Sequence, residues 1–183
     1  KQKFIQGTDL VLRLKRLGEV EWLEHGFGTR AARDWTRDPL VAKQVHGSKI
    51  IVLDERWDDR GPQSGDAMIT NKLGFKLAVR TADCLPILVV DPVSRSIAAI
   101  HSGWRGTAQE IALKTIEKMA SRYAADPDTM IAAIGPGIGA CCYQVGPEVA
   151  KEFAGFNAAW AEAAEPVNLD LTEINRQQLI KAG

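Results

Sequence analysis

Residues Val79–Gly106 read VRTADCLPILVVDPVSRSIAAIHSGWRG, and the fold follows from how this stretch has to pair. The apolar run Leu85–Val90 is broken by Asp91-Pro92, because proline locks φ and has no N–H for a ladder. A second apolar run, Ile97–Ile100, ends at His101 and the turn Ser102-Gly103-Trp104-Arg105-Gly106. Two β-branched runs joined by a short turn predict an antiparallel hairpin. Such pairing sets the start of the first strand beside the end of the second. Cys84 and His101 then become neighbours, although 17 positions separate them. A thiol beside an imidazole at a sheet edge suits either a metal site or a Cys/His nucleophile pair.

The 183 residues, 45% of them hydrophobic, suffice for one domain with a buried core. Lys and Arg total 23, as do Asp and Glu, so no net field draws the chain to nucleic acid or to an anionic membrane. No apolar run approaches the roughly 18–20 residues of a membrane span, and no signal-peptide pattern opens the chain. The three cysteines, Cys84, Cys141 and Cys142, are odd in number and two are adjacent. That usage argues against a disulfide framework and for a reducing cytoplasm. The chain opens on Lys1 rather than Met, as expected of a processed or tagged protein.

Outward from the hairpin, Phe4–Leu14 reads weakly as strand. Glu21–Arg30 carries His25 and then Gly26-Phe27-Gly28-Thr29-Arg30. Two glycines flanking an aromatic let backbone approach a ligand, with Thr29 and Arg30 ready for phosphate or carboxylate. The same letters also fit a glycine-rich surface turn. Ala31–Pro39 suits a loop. Val41–Leu53 reads strand, turn, strand, with Gln44-Val45-His46-Gly47 at the bend, and Asp54–Gly65 is a charged loop. Gly65–Thr70 begins a strand with Asp66 at its mouth, and Gly74–Arg80 reads as another strand.

Beyond the hairpin, Thr107-Ala108-Gln109-Glu110 has the form of a capping box, and Ala112, Ile116, Met119 and Tyr123 recur at helical spacing. The start of that helix, beside His101 and Arg105, favours an anion. Met130–Ile134 is a short buried strand. Gly135–Gly146 takes a special path, with three glycines and a proline in its first five positions, and lacks the helix that a dinucleotide fingerprint needs. Pro147 suits the first turn of a helix over Glu148–Phe156. Asp170 caps a last amphipathic helix.

His46, Cys84 and His101 each sit at a strand end beside a turn. Two imidazoles and a thiolate suit a tetrahedral zinc with an open fourth position. No short ligand pair accompanies them, and a buried thiol with two hydrogen-bonded histidines is the plainer alternative.

The motifs HGFGTR (His25–Arg30), QVHG (Gln44–Gly47), GDA (Gly65–Ala67), TADCLPILVVDP (Thr81–Pro92), IHSGWRGT (Ile100–Thr107), IGPGIGACCYQVG (Ile134–Gly146) and DLTEINRQQL (Asp170–Leu179) follow in one order. In this the chain resembles the YfiH family. Its members were once called multicopper polyphenol oxidases or laccase-domain proteins, and are now regarded as purine nucleoside phosphorylases. The likeness spans nearly the whole chain. The resemblance implies a single α+β domain over residues 1–183, a four-layer α/β/β/α sandwich. That architecture is shared with deamidating toxins of the cytotoxic-necrotizing-factor kind. It implies zinc on His46, Cys84 and His101, with copper as the other metal this donor set accepts. It further implies phosphorolysis of adenosine, inosine and methylthioadenosine, together with adenosine deamination.

Three departures stand out. Ser102 replaces the alanine of the family's HAGWRG, the segment from Arg30 to Lys43 is short, and the arginine-rich FSYRR-like stretch past the last helix lies outside these residues. The domain is therefore expected to lack part of its C-terminal segment here. A four-copper laccase centre is excluded by counting, because three histidines cannot supply a blue-copper site and a trinuclear cluster together.

For such chemistry Arg105 is assigned to the phosphate, and Asp83, next to a metal ligand, to acid/base work or else to turn capping. Phe27, Trp104 and Tyr143 are assigned to the base, core or rim packing being the alternative. His25, Thr29, Arg30 and Asp66 complete the substrate side. Two other classes stay open: a cysteine-type hydrolase using Cys84 and His101, and a peptidoglycan-precursor editing factor acting on an amide.

Overall fold

The computed structural model describes residues 3–32, 35–54 and 63–183. Its strands are β1 (Phe4–Gln6), β2 (Leu12–Leu14), β3 (Leu40–Val41), β4 (Ile50–Val52), β5 (Ala67–Thr70), β6 (Leu77–Ala78), β7 (Leu85–Asp91) and β8 (Ser96–Ser102). Helices α1 (Trp104–Ala108) and α2 (Ile111–Tyr123) follow, then β9 (Ile131–Ile134), β10 (Gln144–Val145) and α3 (Pro147–Ala150). The chain closes with β11 (Val167–Asn168) and α4 (Leu171–Ala182). The fold is α+β.

The hairpin β7–β8 is the centre of a five-stranded sheet ordered β4-β5-β8-β7-β9. Its register pairs Leu85 with Ser102 and Pro86 with His101. A proline in so central a strand leaves no hole in the ladder. The Pro86 carbonyl accepts the Gly135 N–H at 2.8 Å, so the missing N–H would face the same side, where β9 has already ended at Ile134.

Alternation along the strands sorts the core. Leu85, Ile87 and Val89 join Ile111, Ile116 and Met119 of α2 and Leu171 and Ile174 of α4 in one cluster. Leu88 and Val90 point the other way, onto Leu14, Leu17 and Phe27 beside the β1–β2 hairpin. Met68 and Ile51 meet Leu40 and Leu77 of the small β3–β6 ladder on that second side. Helices therefore cover one face of the main sheet and two short ladders the other. Each Leu or Ile buried in this way stabilises the fold by about 1.5–3 kcal/mol.

Three local readings change. Phe4–Leu14 is not one strand but two, joined by a turn. Thr107–Glu110 is not a capping box: Thr107 lies inside α1, and Glu110 precedes α2 in the left-handed region (φ 58°) with no side-chain cap bond. The Thr107 hydroxyl is instead held by partners from distant segments, described below. The helix expected over Glu148–Phe156 is one α-turn, α3, opened by Pro147 and continued by a 3-10 turn over Lys151–Phe153. Asp170 does cap α4, its Oδ1 accepting the Glu173 N–H at 2.9 Å. Of the loops expected at Ala31–Pro39 and Asp54–Gly65, residues 33–34 and 55–62 lie outside the described residues. No helix among the described residues is long and apolar enough to cross a membrane.

Candidate metal centre

Three turns converge where β7 begins and β8 ends: Gln44–Gly47, Thr81–Cys84 and His101–Trp104. One ligand atom each from His46, Cys84 and His101 lies within 4.8 Å of the others. The two imidazoles meet edge to face, with centroids 4.7 Å apart. His101 is buried, Cys84 half-buried and His46 exposed, so the cluster opens to solvent on the His46 side.

The cluster is organised by Asp66, which is 1% exposed at the mouth of β5. Its Oδ1 accepts the His46 N–H at 2.9 Å and its Oδ2 accepts the Gly47 N–H at 2.8 Å, while the Val45 N–H points between the two oxygens. These bonds hold His46 in a left-handed conformation (φ 58°), which a non-glycine residue rarely adopts without such support. Oδ1 also receives Nδ1–H of His101 at 2.9 Å. That bond occupies Nδ1 and leaves Nε2 of His101 for a ligand, an arrangement typical of metal-ligating histidines.

Gly103 leaves the space that the cluster needs. A Cβ there would come within 2.9 Å of Cys84 Sγ and 3.4 Å of His46 Cδ2. Burial pushes the Cys84 thiol up, and the charges of Asp83 and Asp66 push it further. A bound cation reverses that preference, because the thiolate is the ligating form. The donor set of two imidazole nitrogens and one sulfur, the oriented His101 ring and the open side fit zinc, or copper.

Around the cluster, the Arg105 guanidinium stacks over the Trp104 ring at 4.3 Å, and among the described residues no carboxylate pairs with it. Tyr143 is half-buried; burial pushes its hydroxyl up, Cys84 adds to this and Arg105 opposes it, so both lie within electrostatic reach. Asp83 is exposed, its carbonyl accepting the Ile138 N–H at 2.8 Å.

The remaining assignments fall elsewhere. The Asp66 carboxylate, expected on the substrate side, is spent on Val45, His46, Gly47 and His101. His25 is buried and its Nε2 accepts the Leu14 N–H at 3.1 Å. Phe27 is 5% exposed, meets Phe4 edge to face and lies over Gly135, where a Cβ would fall 2.3 Å from its ring. The Thr29 hydroxyl reaches the Leu10 carbonyl at 3.3 Å, and Arg30 is exposed. His25 and Phe27 thus pack on the β1–β2 side of the core.

One group was not foreseen. Ser102 Oγ donates to Asn175 Oδ1 at 2.8 Å and lies 2.9 Å from Thr107 Oγ1, which also accepts from Asn175 Nδ2 at 3.0 Å. Gln178 Nε2 donates to the Thr107 carbonyl at 2.8 Å. This buried network ties α4 to α1, the helix that carries Trp104 and Arg105. A signal existed: Leu171, Ile174, Asn175 and Gln178 share the buried stripe of α4, and two of them are polar.

Known proteins resemble this chain in sequence and in fold. The chain is 35% identical over 159 residues to an adenosine deaminase from an unknown prokaryotic organism, covering 80% of this chain and 60% of that one. It is 39% identical over 155 residues to a purine nucleoside phosphorylase of Deinococcus radiodurans, covering 84% and 58%. The crystal structure of the hypothetical protein YfiH from Bacillus licheniformis superposes with a TM-score of 0.71 at 29% identity, covering 79% and 59%. The chain spans about 60% of the length of these curated relatives. The family model described as multi-copper polyphenol oxidoreductase laccase matches residues 28–183, and with its fold and its His-Cys-His cluster in place the chain belongs to that family.

Proposed function

We propose that residues 1–183 carry the catalytic domain of a zinc-dependent purine nucleoside phosphorylase acting on adenosine, inosine and methylthioadenosine, with adenosine deamination as a second activity. The observation that carries this reading is the His46/Cys84/His101 cluster, drawn together within 4.8 Å and oriented by a buried carboxylate. The names of the relatives supply the substrate class. A reducing cytoplasm suits the three free cysteines.

Phosphorolysis forms a bond from a phosphate oxygen to the ribose anomeric carbon and breaks the bond from that carbon to the purine nitrogen. The protein must hold a polyanion in line and assist departure of the base. Arg105, exposed and without a carboxylate partner among the described residues, binds phosphate oxygens. Trp104, under that guanidinium, keeps it over the site. Asp83 shuttles the proton of the departing base, and the Tyr143 hydroxyl, kept protonated, offers a hydrogen bond. Asp66 keeps His46 and His101 in position throughout. His46, Cys84 and His101 would hold the zinc, which would supply Lewis acidity there.

The test is chromatography of free base and ribose 1-phosphate after metal-loaded protein meets adenosine or inosine, with and without phosphate. Phosphate-dependent release of adenine or hypoxanthine supports the proposal, and inosine formed from adenosine without phosphate supports the deaminase arm. No turnover of any nucleoside overturns both.

One observation favours a second reading. Cys84, His101 and Asp66 follow one another as nucleophile, base and orienting acid would in a cysteine-type hydrolase. Iodoacetamide separates the two. A free nucleophilic thiolate is alkylated at once, whereas a metal-held one reacts only after chelation.

A further inference from the structure

Cys141 and Cys142 play no part in the chemistry above, yet the turn that carries them is closely built. The Cys142 and Tyr143 N–H groups both donate to the Gly139 carbonyl, at 3.0 and 3.1 Å. Both cysteines are exposed, and their Sγ atoms lie 3.1 Å apart. The hydrogen bond between them pushes the Cys142 thiol up.

Two adjacent thiols can close on each other or on something between them. A disulfide prefers Cα atoms roughly 4.4–6.8 Å apart, whereas consecutive Cα atoms across a trans peptide are about 3.8 Å apart. A chelated atom removes that conflict by leaving the sulfurs unbonded. With bonds of about 2.3 Å to each sulfur, the 3.1 Å separation sets an angle of about 85° at the bound atom. That is the angle of a pyramidal p-block centre; a tetrahedral ion needs a wider one and a linear two-coordinate ion a straight one. Among the described residues no third side chain completes a cage either, since only His46, Cys84 and His101 form a group of three or more such donors. The ligand must therefore accept two thiolates and bring its remaining substituent with it.

We propose that Cys141 and Cys142 form a chelating site for trivalent arsenicals, separate from the His46/Cys84/His101 centre. Binding replaces each of two As–O bonds of the hydrated arsenical by an As–S bond. Each departing hydroxide leaves as water with a thiol proton, and arsenic stays trivalent, so no oxidant or reductant is needed.

Phenylarsine oxide is the probe, added to the full chain with its metal in place and followed by intact mass and metal content. One adduct per chain is expected, stable to 2-mercaptoethanol, reversed by 2,3-dimercaptopropanol and formed without metal release. Cys141→Ser and Cys142→Ser, each at an exposed position and checked for folding by circular dichroism, should each weaken uptake at least tenfold, whereas Cys84→Ser keeps it. No adduct, an adduct that survives in either single variant, or one accompanied by loss of metal overturns the proposal.

Discussion

His101 and His25 are both buried, at 2% and 7% exposure, and both hold one hydrogen bond to a fixed partner at a strand. They differ in which side of the bond they take. His101 donates from Nδ1 to the Asp66 carboxylate, which leaves Nε2 as the nitrogen for a ligand. His25 accepts at Nε2 from the Leu14 N–H, so its lone pair is already used and its ring serves the core. What separates the candidate ligand His101 from the core imidazole His25 is the hydrogen-bond partner, not burial.

The widest separation is expected between the two alanine variants. His101→Ala should abolish metal retention and cut nucleoside turnover by roughly 10³-fold or more, as loss of a ligand empties the site. His25→Ala should leave metal stoichiometry unchanged, as read by elemental analysis and activity together. Equal metal loss in both would break the comparison. Next comes Asp66→Ala, which strips the acceptor from three backbone N–H groups and from His101. Metal affinity should fall about 10–100-fold, with a stability loss of roughly 3–5 kcal/mol in urea unfolding. Wild-type affinity in that variant would remove Asp66 from the argument.

Gly103→Ala tests space rather than charge. Its Cβ meets Cys84 Sγ at 2.9 Å, so the thiol has to move, at a cost of about 1–3 kcal/mol as overpacking and with weaker metal binding. The smallest effect is on pH. Burial holds His25 below its ordinary 6.5. The unfolded chain therefore takes up that proton first as pH falls. His25's contribution is complete above about 6.5 and declines as pH drops toward its folded value. His25→Gln should flatten that part of the stability profile, measured by denaturation between pH 7 and 5. An unchanged slope would mean that the imidazole titrates as in water.

Reading the fold from sequence succeeded where a turn or a hairpin did the placing. The break at Asp91-Pro92 and the alternation on either side suffice to pair Leu85–Asp91 with Ser96–Ser102, and that pairing alone brings Cys84 to His101. It failed where a polar group chose between distant partners. Thr107 and Glu110 have the letters of a cap, but Ser102 and Asn175 hold the Thr107 hydroxyl from five positions before and 68 positions after it. Asp66 looked like a carboxylate at a strand mouth free for substrate, and nothing within its own strand reveals the turn 20 residues earlier that folds onto it. The residues of HGFGTR suggested a ligand loop, yet Phe27 lies over Gly135, more than a hundred positions away.

The sequence by itself determined the central hairpin with Cys84 beside His101, the proline start of α3 and the Asp170 cap of α4, because each depends on φ preferences, side-chain alternation or contacts a few residues apart. Only the tertiary structure decided that Asp66 holds the cluster, that His25 is structural, and that α4 grips α1 through Asn175. A buried hydrogen-bonding group must find a partner wherever the packed chain brings one, and an exposed strand end or turn does not record which distant segment that is.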